Sequence, residues 1–196
     1  MATEQAKRRF PQHVTLDDGR PVQLRLMTGD DRDAVLAFAR SLPEEDLLFL
    51  RLDLTQANVV DDWIANLASG NSTSLVAYDD GDLVGYATVH RNPAPWTRRV
   101  GEIRVNVGPD YRGKGLGRNL TSQIFDIARA MGLKKLMANM TSDQTGAQAA
   151  FRRLGFVAEA LLTDYVEDRN GRSRDLVIMS YDVEGLTDQM DEPLSV

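Results

Sequence analysis

The stretch from Val105 to Arg118 reads Val-Asn-Val-Gly-Pro-Asp-Tyr-Arg-Gly-Lys-Gly-Leu-Gly-Arg, with glycines at 108, 113, 115 and 117. Strand-like residues precede it, and the most regular amphipathic pattern of the chain follows it. Glycine lets a backbone turn tightly and leaves N–H groups bare. A helix N-terminus adds unpaired donors and a partial positive charge. Together they make an anion site suited to phosphate, and Arg112, Lys114 and Arg118 add formal charge to it. A glycine-rich turn with no ligand has the same composition. Two phosphate motifs come close. Gly108 to Gly115 nearly fits GxxxxGK[ST], but Gly115 stands where the Mg²⁺-holding hydroxyl belongs. GxGxxG fails as well, because its sixth position is Arg118 counted from Gly113 and Leu120 counted from Gly115.

The elements that would position this loop follow from periodicity. Val22, Leu24 and Leu26 alternate with Gln23 and Arg25 as a half-buried strand. Ala34, Val35, Phe38 and Ala39 recur at helical spacing until Leu42-Pro43 breaks the pattern. Residues 43–53 can start a second short helix, with Glu44, Glu45 and Asp46 as its acidic first turn or as a wall for a substrate. Val59, Val60, Trp63, Ile64 and Leu67 make a third helix. Residues 74–78 and 83–90 read as strands joined by Asp79-Asp80-Gly81-Asp82, and Asp-Gly is a strong hairpin signal. A proline-bearing loop, 91–96, leads to a strand at 99–107. Leu116, Leu120, Ile124, Ile127 and Met131 form the clearest helix, ended by Gly132. A strand at 134–140, a helix carrying Ala147, Ala150, Phe151 and Leu154, and strands at 156–165 and 175–181 complete the order β-α-α-β-β-β-α-β-α-β-β. That order predicts a single α/β domain on a mixed sheet, spanning 19–183, with a flexible leader at 1–18 and an acidic tail at 184–196. Trp63 and Trp96 are expected as core and loop cover, and His90 as a structural or solvated residue.

Composition narrows the chemistry. Among 196 residues there is no cysteine and only two histidines, His13 and His90. A disulfide framework, a thiolate zinc site, an iron–sulfur cluster and a cysteine nucleophile are thereby excluded, and no metal is expected. With 23 basic and 29 acidic side chains the formal charge is −6, which disfavours nucleic acid as a partner and favours cations. No apolar run approaches the roughly 20 residues of a membrane span. Lys7, Arg8 and Arg9 are followed by no apolar segment, so the start does not read as a signal peptide. The expectation is a soluble cytoplasmic protein with no membrane partner.

A third phosphate pattern, R-x-x-G-x-G, is met by Arg112, Gly115 and Gly117. It is the pyrophosphate loop of the Gcn5-related N-acetyltransferases, which this sequence resembles. A second block, Gln144-x-x-Ala147-x-x-x-Phe151-x-x-x-Gly155-Phe156, is similar to that family's N-x-x-A-x-x-x-Y-x-x-x-G-F. Two positions depart from it. Gln144 replaces Asn and still offers an amide to the cofactor. Phe151 replaces the Tyr that protonates the departing thiolate in many members, keeping the packing and losing the O–H. The resemblance is specific from about 100 to 156 and rests on element order over roughly 20–183.

The resemblance implies a mostly antiparallel sheet with a central splayed parallel pair, here 99–107 and 134–140, flanked by helices. It implies transfer of an acyl group, acetyl-CoA being the donor, to a primary amine by direct attack. Pantetheine then pairs with the backbone of Val105, Asn106 and Val107. The pyrophosphate sits on Arg112, Gly113, Lys114, Gly115, Leu116, Gly117 and Arg118, and Gln144, Ala147 and Phe151 complete the cofactor side. The amide of Val105 is the oxyanion donor. A lysine-like amine is only roughly 0.04% neutral at pH 7, and a positioned carboxylate, directly or through water, can take its proton. Glu102 is the candidate base, on a face shared with Arg104 and Asn106. The run Gly101 to Val107 resembles the matching strand of bacterial protein lysine acetyltransferases, where a glutamate at this position is the base. The other reading of Glu102 is a surface residue paired with Arg104 or Arg99. Tyr181, Tyr165 and Ser142 are candidates for the general acid. The acceptor is a protein lysine or a small amine. Many members dimerise through late strands, so a second copy of the chain is carried as a partner. The alternative function is a non-catalytic acyl-CoA-binding module, motivated by Phe151.

Overall fold

Leu116, Leu120, Ile124 and Ile127 line one stripe of a helix, and all four are fully buried. In a computed structural model that describes residues 4, 7–47, 52–91 and 94–183, this stripe lies across the middle of one sheet. The strands are β1 (Gln12–Thr15), β2 (Pro21–Leu26), β3 (Ser72–Asp79), β4 (Asp82–Arg91), β5 (Val100–Val107), β6 (Lys135–Thr141), β7 (Val157–Glu167) and β8 (Ser173–Asp182). The helices are α1 (Arg32–Ser41), α2 (Glu44–Leu47), α3 (Ala57–Ala68), α4 (Leu116–Ala130) and α5 (Thr145–Arg153). The strand order is β1-β2-β3-β4-β5-β6-β8-β7. Every neighbouring pair is antiparallel except β5 and β6, which run parallel with α4 as their crossover. The family-like sheet expected from the sequence is therefore the one observed.

Helices cover both faces, because alternate residues of the central strands are apolar on each side. The α4 stripe packs on Ile103, Leu136, Ala138 and Met179. On the opposite face Val35 and Phe38 of α1 and Val60 and Trp63 of α3 pack on Val76 and Tyr86. Each of the larger aliphatic side chains contributes about 1.5–3 kcal/mol by leaving water. Asp31 ties the start of α1 to the sheet. Its carboxylate is 1% exposed and accepts bonds from Arg25, from the Tyr78 hydroxyl at 2.6 Å and from the Thr28 amide at 2.8 Å. The Asp80-Gly81 turn joins β3 to β4 with both residues at positive φ, 47° and 91°, as a two-residue hairpin requires.

Three expectations change. Residues 1–18 do not all form a leader, because Gln12–Thr15 pair with β2 as an edge strand from Gln12↔Leu24 to Thr15↔Pro21. The alternation in that segment is too short to stand out in the sequence. The second short helix is limited to Glu44–Leu47, and the remainder of its expected span at 48–51 lies outside the described residues, as does the expected acidic tail at 184–196. Trp96 is not loop cover. It is 89% exposed in the 3₁₀ turn Pro95–Thr97. No helix among the described residues is long and apolar enough to cross a membrane.

Candidate active site

β5 is used on three sides. One edge pairs with β4 along its whole length, from Arg91↔Gly101 to Gly85↔Val107. The other pairs with β6 at only three positions, Val100↔Lys135, Gly101↔Leu136 and Glu102↔Met137. Beyond Met137, β6 follows β8 as far as Thr141↔Leu176, so a wedge opens between β5 and β6 from Ile103 onward. Gly101 sits at the hinge of that wedge. A Cβ there would meet the side-chain ends of Leu133 at 2.7 Å and of Val89 on β4 at 2.8 Å, so a larger residue at this level forces the packing to shift.

Strand alternation fixes what faces the wedge. The Arg99 carbonyl accepts from Lys134 on the β6 side at 2.8 Å, while the Gly108 amide donates to Val84 on the β4 side at 2.9 Å. Peptide groups of one strand alternate between its two edges. The N–H groups of Val105 and Val107 therefore point into the wedge, and that of Asn106 points to β4. Of the three residues expected to pair with pantetheine, two present their amides to the wedge and Asn106 does not. The Asn106 side chain instead accompanies the buried Tyr86 hydroxyl, which burial keeps protonated.

The wedge opens toward the glycine loop. A 3₁₀ turn, Pro109–Tyr111, is pinned by the Tyr111 hydroxyl on Asp79 at 2.6 Å and by Arg20 stacked over the ring at 4.5 Å. Gly113 and Gly115 then adopt φ values of +71° and +86°, which only glycine tolerates cheaply. Gly115 is the cap residue of α4 and has no side chain to cap with. The first-turn amides of Leu116, Gly117 and Arg118 precede the first helical bond, from the Asn119 amide to Gly115. This is the cradle of bare N–H groups at a helix N-terminus that a pyrophosphate fits.

The three loop cations are not idle. Arg112 donates to the Val107 carbonyl at 3.0 Å and to Asp46 of α2 at 2.6 Å. Lys114 lies 3.3 Å from Asp18, and Arg118 lies 3.6 Å from Asp17. Asp18 is held down to about 2, chiefly by hydrogen bonds from Arg20 and also by one from Lys114, which together outweigh the opposing effect of desolvation. Part of the acidic surplus inferred from composition thus lies against the loop, from the β1–β2 turn and from α2. The sequence reading missed Asp17 and Asp18, whose only signal was their place in an Asp-Asp-Gly turn before β2. Such solvent-exposed pairs are weakly held, so a polyanion can displace them.

The second block lies past β6. Gln144 does not project a whole amide. Its Oε1 accepts from the Thr141 amide at 3.0 Å and closes the end of β6. Ala147 and Phe151 pack against the core, and Phe151 meets Phe156 edge-on with centroids 4.9 Å apart. Of the acid candidates, Tyr181 stacks on Phe125 at 4.9 Å and shares the α4 side of the sheet. Tyr165 is 65% exposed on the edge strand β7, and Ser142 is exposed beyond β6.

The opposite face of β5 carries Glu102 and Arg104, and both line a cavity of about 670 Å³ under α3. Glu102 is 22% exposed, and its Oε1 accepts from Arg104 Nε at 3.1 Å and Nη2 at 3.0 Å. The structure therefore joins the two sequence readings of this glutamate: it is paired with Arg104 and it faces a cavity. Trp63, Tyr86 and Thr88 form a buried floor, and Asp62 and Asn66 of α3 stand at the rim. Trp63 Nε1 donates to Ser74 at 3.1 Å, and Ser74 donates to Thr88 at 2.7 Å. These floor residues had no motif, since they come from elements far apart in sequence. Among the described residues, no three His, Asp or Glu side chains could hold a metal ion.

The profile of the acetyltransferase (GNAT) family matches residues 36–156. Streptothricin acetyltransferase of Streptomyces lavendulae is 39% identical over 77 residues, covering 39% of this chain and 40% of that protein. The L-amino acid N-acyltransferase MnaT of Escherichia coli K12 is 33% identical over 119 residues, covering 58% of this chain and 66% of that protein. Each match thus spans under two thirds of the relative's length. The fold of yncA, a putative acetyltransferase from Salmonella typhimurium solved with acetyl-CoA, superimposes with a TM-score of 0.71 at 24% identity, over 89% of this chain and 99% of that one. Wedge, glycine loop and profile agree, and the chain belongs to the GNAT acetyltransferase family.

Proposed function

We propose that this protein transfers an acetyl group from acetyl-CoA to the primary amine of a small molecule, with amino acids the first class to test. The observation that carries the reading is the triple use of β5. Its open edge offers the Val105 and Val107 amides to a donor chain, its end leads into the glycine cradle, and its far face holds Glu102 above a cavity. Acetyl-CoA supplies the activated thioester. The Leu116, Gly117 and Arg118 amides hold its diphosphate, with Arg112, Lys114 and Arg118 exchanging their carboxylate partners for phosphate. The Val105 N–H is directed to the carbonyl oxygen as charge develops there. Glu102 takes the proton of the acceptor ammonium, the neutral nitrogen attacks, and the thiolate leaves.

The relatives named above are, by their names, a streptothricin acetyltransferase and an L-amino acid N-acyltransferase. That and an aromatic-floored cavity under α3 support a small acceptor over a protein lysine. A direct test is thiol release from acetyl-CoA with a panel of amino acids, polyamines and aminoglycosides, with mass spectrometry of the products. Turnover of lysine-bearing proteins alone would refute the small-acceptor assignment. The second reading, a non-catalytic acyl-CoA-binding module, draws on Phe151, which puts a hydrocarbon ring where many members carry an acid. Tight coenzyme A binding without turnover of any amine would establish it.

A further inference from the structure

Three side chains stand in one row across three strands. The register aligns Ser72 of β3 with His90 of β4, and His90 with Glu102 of β5. Directly opposed residues share a face, with Cβ atoms about 4.5–5.5 Å apart. Ser72 is 4% exposed, and its Oγ lies 2.7 Å from His90 Nδ1. That bond holds the imidazole through Nδ1 from β3, the strand on the side away from Glu102. Both His90 and Glu102 line the cavity. The charged groups that share this cavity are Glu102 and Arg104 from β5, Arg91 beside His90 on β4, and Asp62 from α3. The next row, Ser74, Thr88 and Arg104, is aligned in the same way and holds the guanidinium that binds Glu102.

Amide formation from an ammonium acceptor must dispose of one proton beyond the one that ends on the thiol. Glu102 can take it, but Glu102 is tied to Arg104 and must be cleared before the next turnover. Imidazole is the side chain whose ordinary titration range suits that transfer near neutral pH. We propose that His90 is a positioning and relay residue. Held by Ser72, it receives from Glu102 the proton that the acceptor gave up and passes it to water in the cavity mouth. The carboxylate is regenerated, the imidazolium loses the same proton, and no other bond changes. This inference rests on the acyl-transfer reading of the site.

The chain has only two histidines, so its imidazole NMR spectrum is simple, and His13→Gln assigns the signals. The relay predicts that Glu102→Gln moves the His90 midpoint to lower pH, because a neighbouring carboxylate favours the imidazolium, and that Ser72→Ala also moves it. In turnover, His90→Gln is expected to lower kcat/KM about tenfold and remove one ionisation from its pH profile, leaving the KM for acetyl-CoA unchanged. Added imidazole is expected to restore part of the rate of His90→Ala. An active protein whose folded His90→Gln variant keeps the wild-type pH profile overturns the relay alone. A His90 signal that ignores Glu102→Gln overturns it as well. A wild-type protein that binds acetyl-CoA but acylates no amine overturns the acyl-transfer reading and the relay with it.

Discussion

Replacing Glu102 with Gln separates the charge of this residue from its geometry. The amide oxygen can still accept the Arg104 bonds now made at 3.0 and 3.1 Å, so the shape of the cavity wall is retained. Both side chains are about one-quarter exposed, 22% for Glu102 and 26% for Arg104, so the lost ion pair costs less than about 1 kcal/mol. The stability of the variant stays within about 4 °C of wild type. Turnover does not. Without a base, the reaction draws on whatever amine is already neutral. For a primary amine with pKa near 10.4 that is roughly 0.04% at pH 7 and roughly 4% at pH 9. A positioned base contributes about 10²–10⁴-fold, so at pH 7 the variant is expected to lose about 10²–10³-fold in kcat/KM. The deficit shrinks about tenfold per pH unit as the free amine rises. The assay is thiol release from acetyl-CoA between pH 6.5 and 10 with one well-behaved acceptor. A variant whose profile runs parallel to wild type at every pH, displaced or not, refutes the base role of Glu102.

Other consequences follow from the loop and the core. Gly115→Ala places a Cβ at φ +86°, 3.0–3.2 Å from the Asp17 carboxylate; with about 1–2 kcal/mol of left-handed strain it is expected to weaken acetyl-CoA about 5–30-fold by calorimetry. Gly113→Ala meets no atom within 4 Å, so it should weaken binding less, and equal effects would count against the close approach of Asp17. Gly101→Ala collides with Leu133 and Val89 at the base of the wedge and is expected to cost about 1–3 kcal/mol in denaturant titration. Asp31→Asn leaves Arg25 short of its buried partner and is expected to cost about 3 kcal/mol, or about 6–12 °C in Tm. Burial alone would raise the Asp31 carboxyl, but bonds from Arg25, Tyr78 and Thr28 outweigh it and hold it below the ordinary 3.8. Its contribution is therefore complete above about pH 4 and is lost as pH falls through the lowered folded value, which acid titration of the wild type against Asp31→Asn would measure.

The glycine loop and its helix start were legible in the sequence because they are local. Arg112, Gly113, Gly115 and Gly117 lie within six residues of one another, and the strand and helix that present them are their immediate neighbours. The groups presented there are backbone amides, and glycine spacing reports backbone geometry. The sheet was legible for the same reason, except at its margins. β1 is only four residues long and takes its register from β2, so its pairing partner carries the information. Glu102 was singled out from its position three residues before Val105, and it lines the cavity. Its tie to Arg104 was also foreseen, since residues two apart in a strand share a face.

The cavity under α3 is a different kind of object. Its lining takes Trp63 from α3, Tyr86 and Thr88 from β4, Met137 from β6 and Ile178 from β8, and no two of these elements are joined by a short turn that brings the residues together. Sheet register brings them together instead, and register is set by packing over the whole face. The same register aligns Ser72, His90 and Glu102 in a row that no linear motif records, because the three are separated by 18 and 12 residues. A bland histidine at the end of a strand thus becomes chemically informative only once its neighbours across the ladder are known. It follows that donor chemistry and acceptor choice can diverge independently in such a fold. Substitutions on the even face of β4 and β5 alter what the cavity receives and leave the odd-numbered amides of the wedge untouched. Exchanging Thr88 or Tyr86 should therefore change the acceptor profile at constant affinity for acetyl-CoA. A matching loss of acetyl-CoA binding in a folded Thr88 variant would show that the two faces of β5 are not separable.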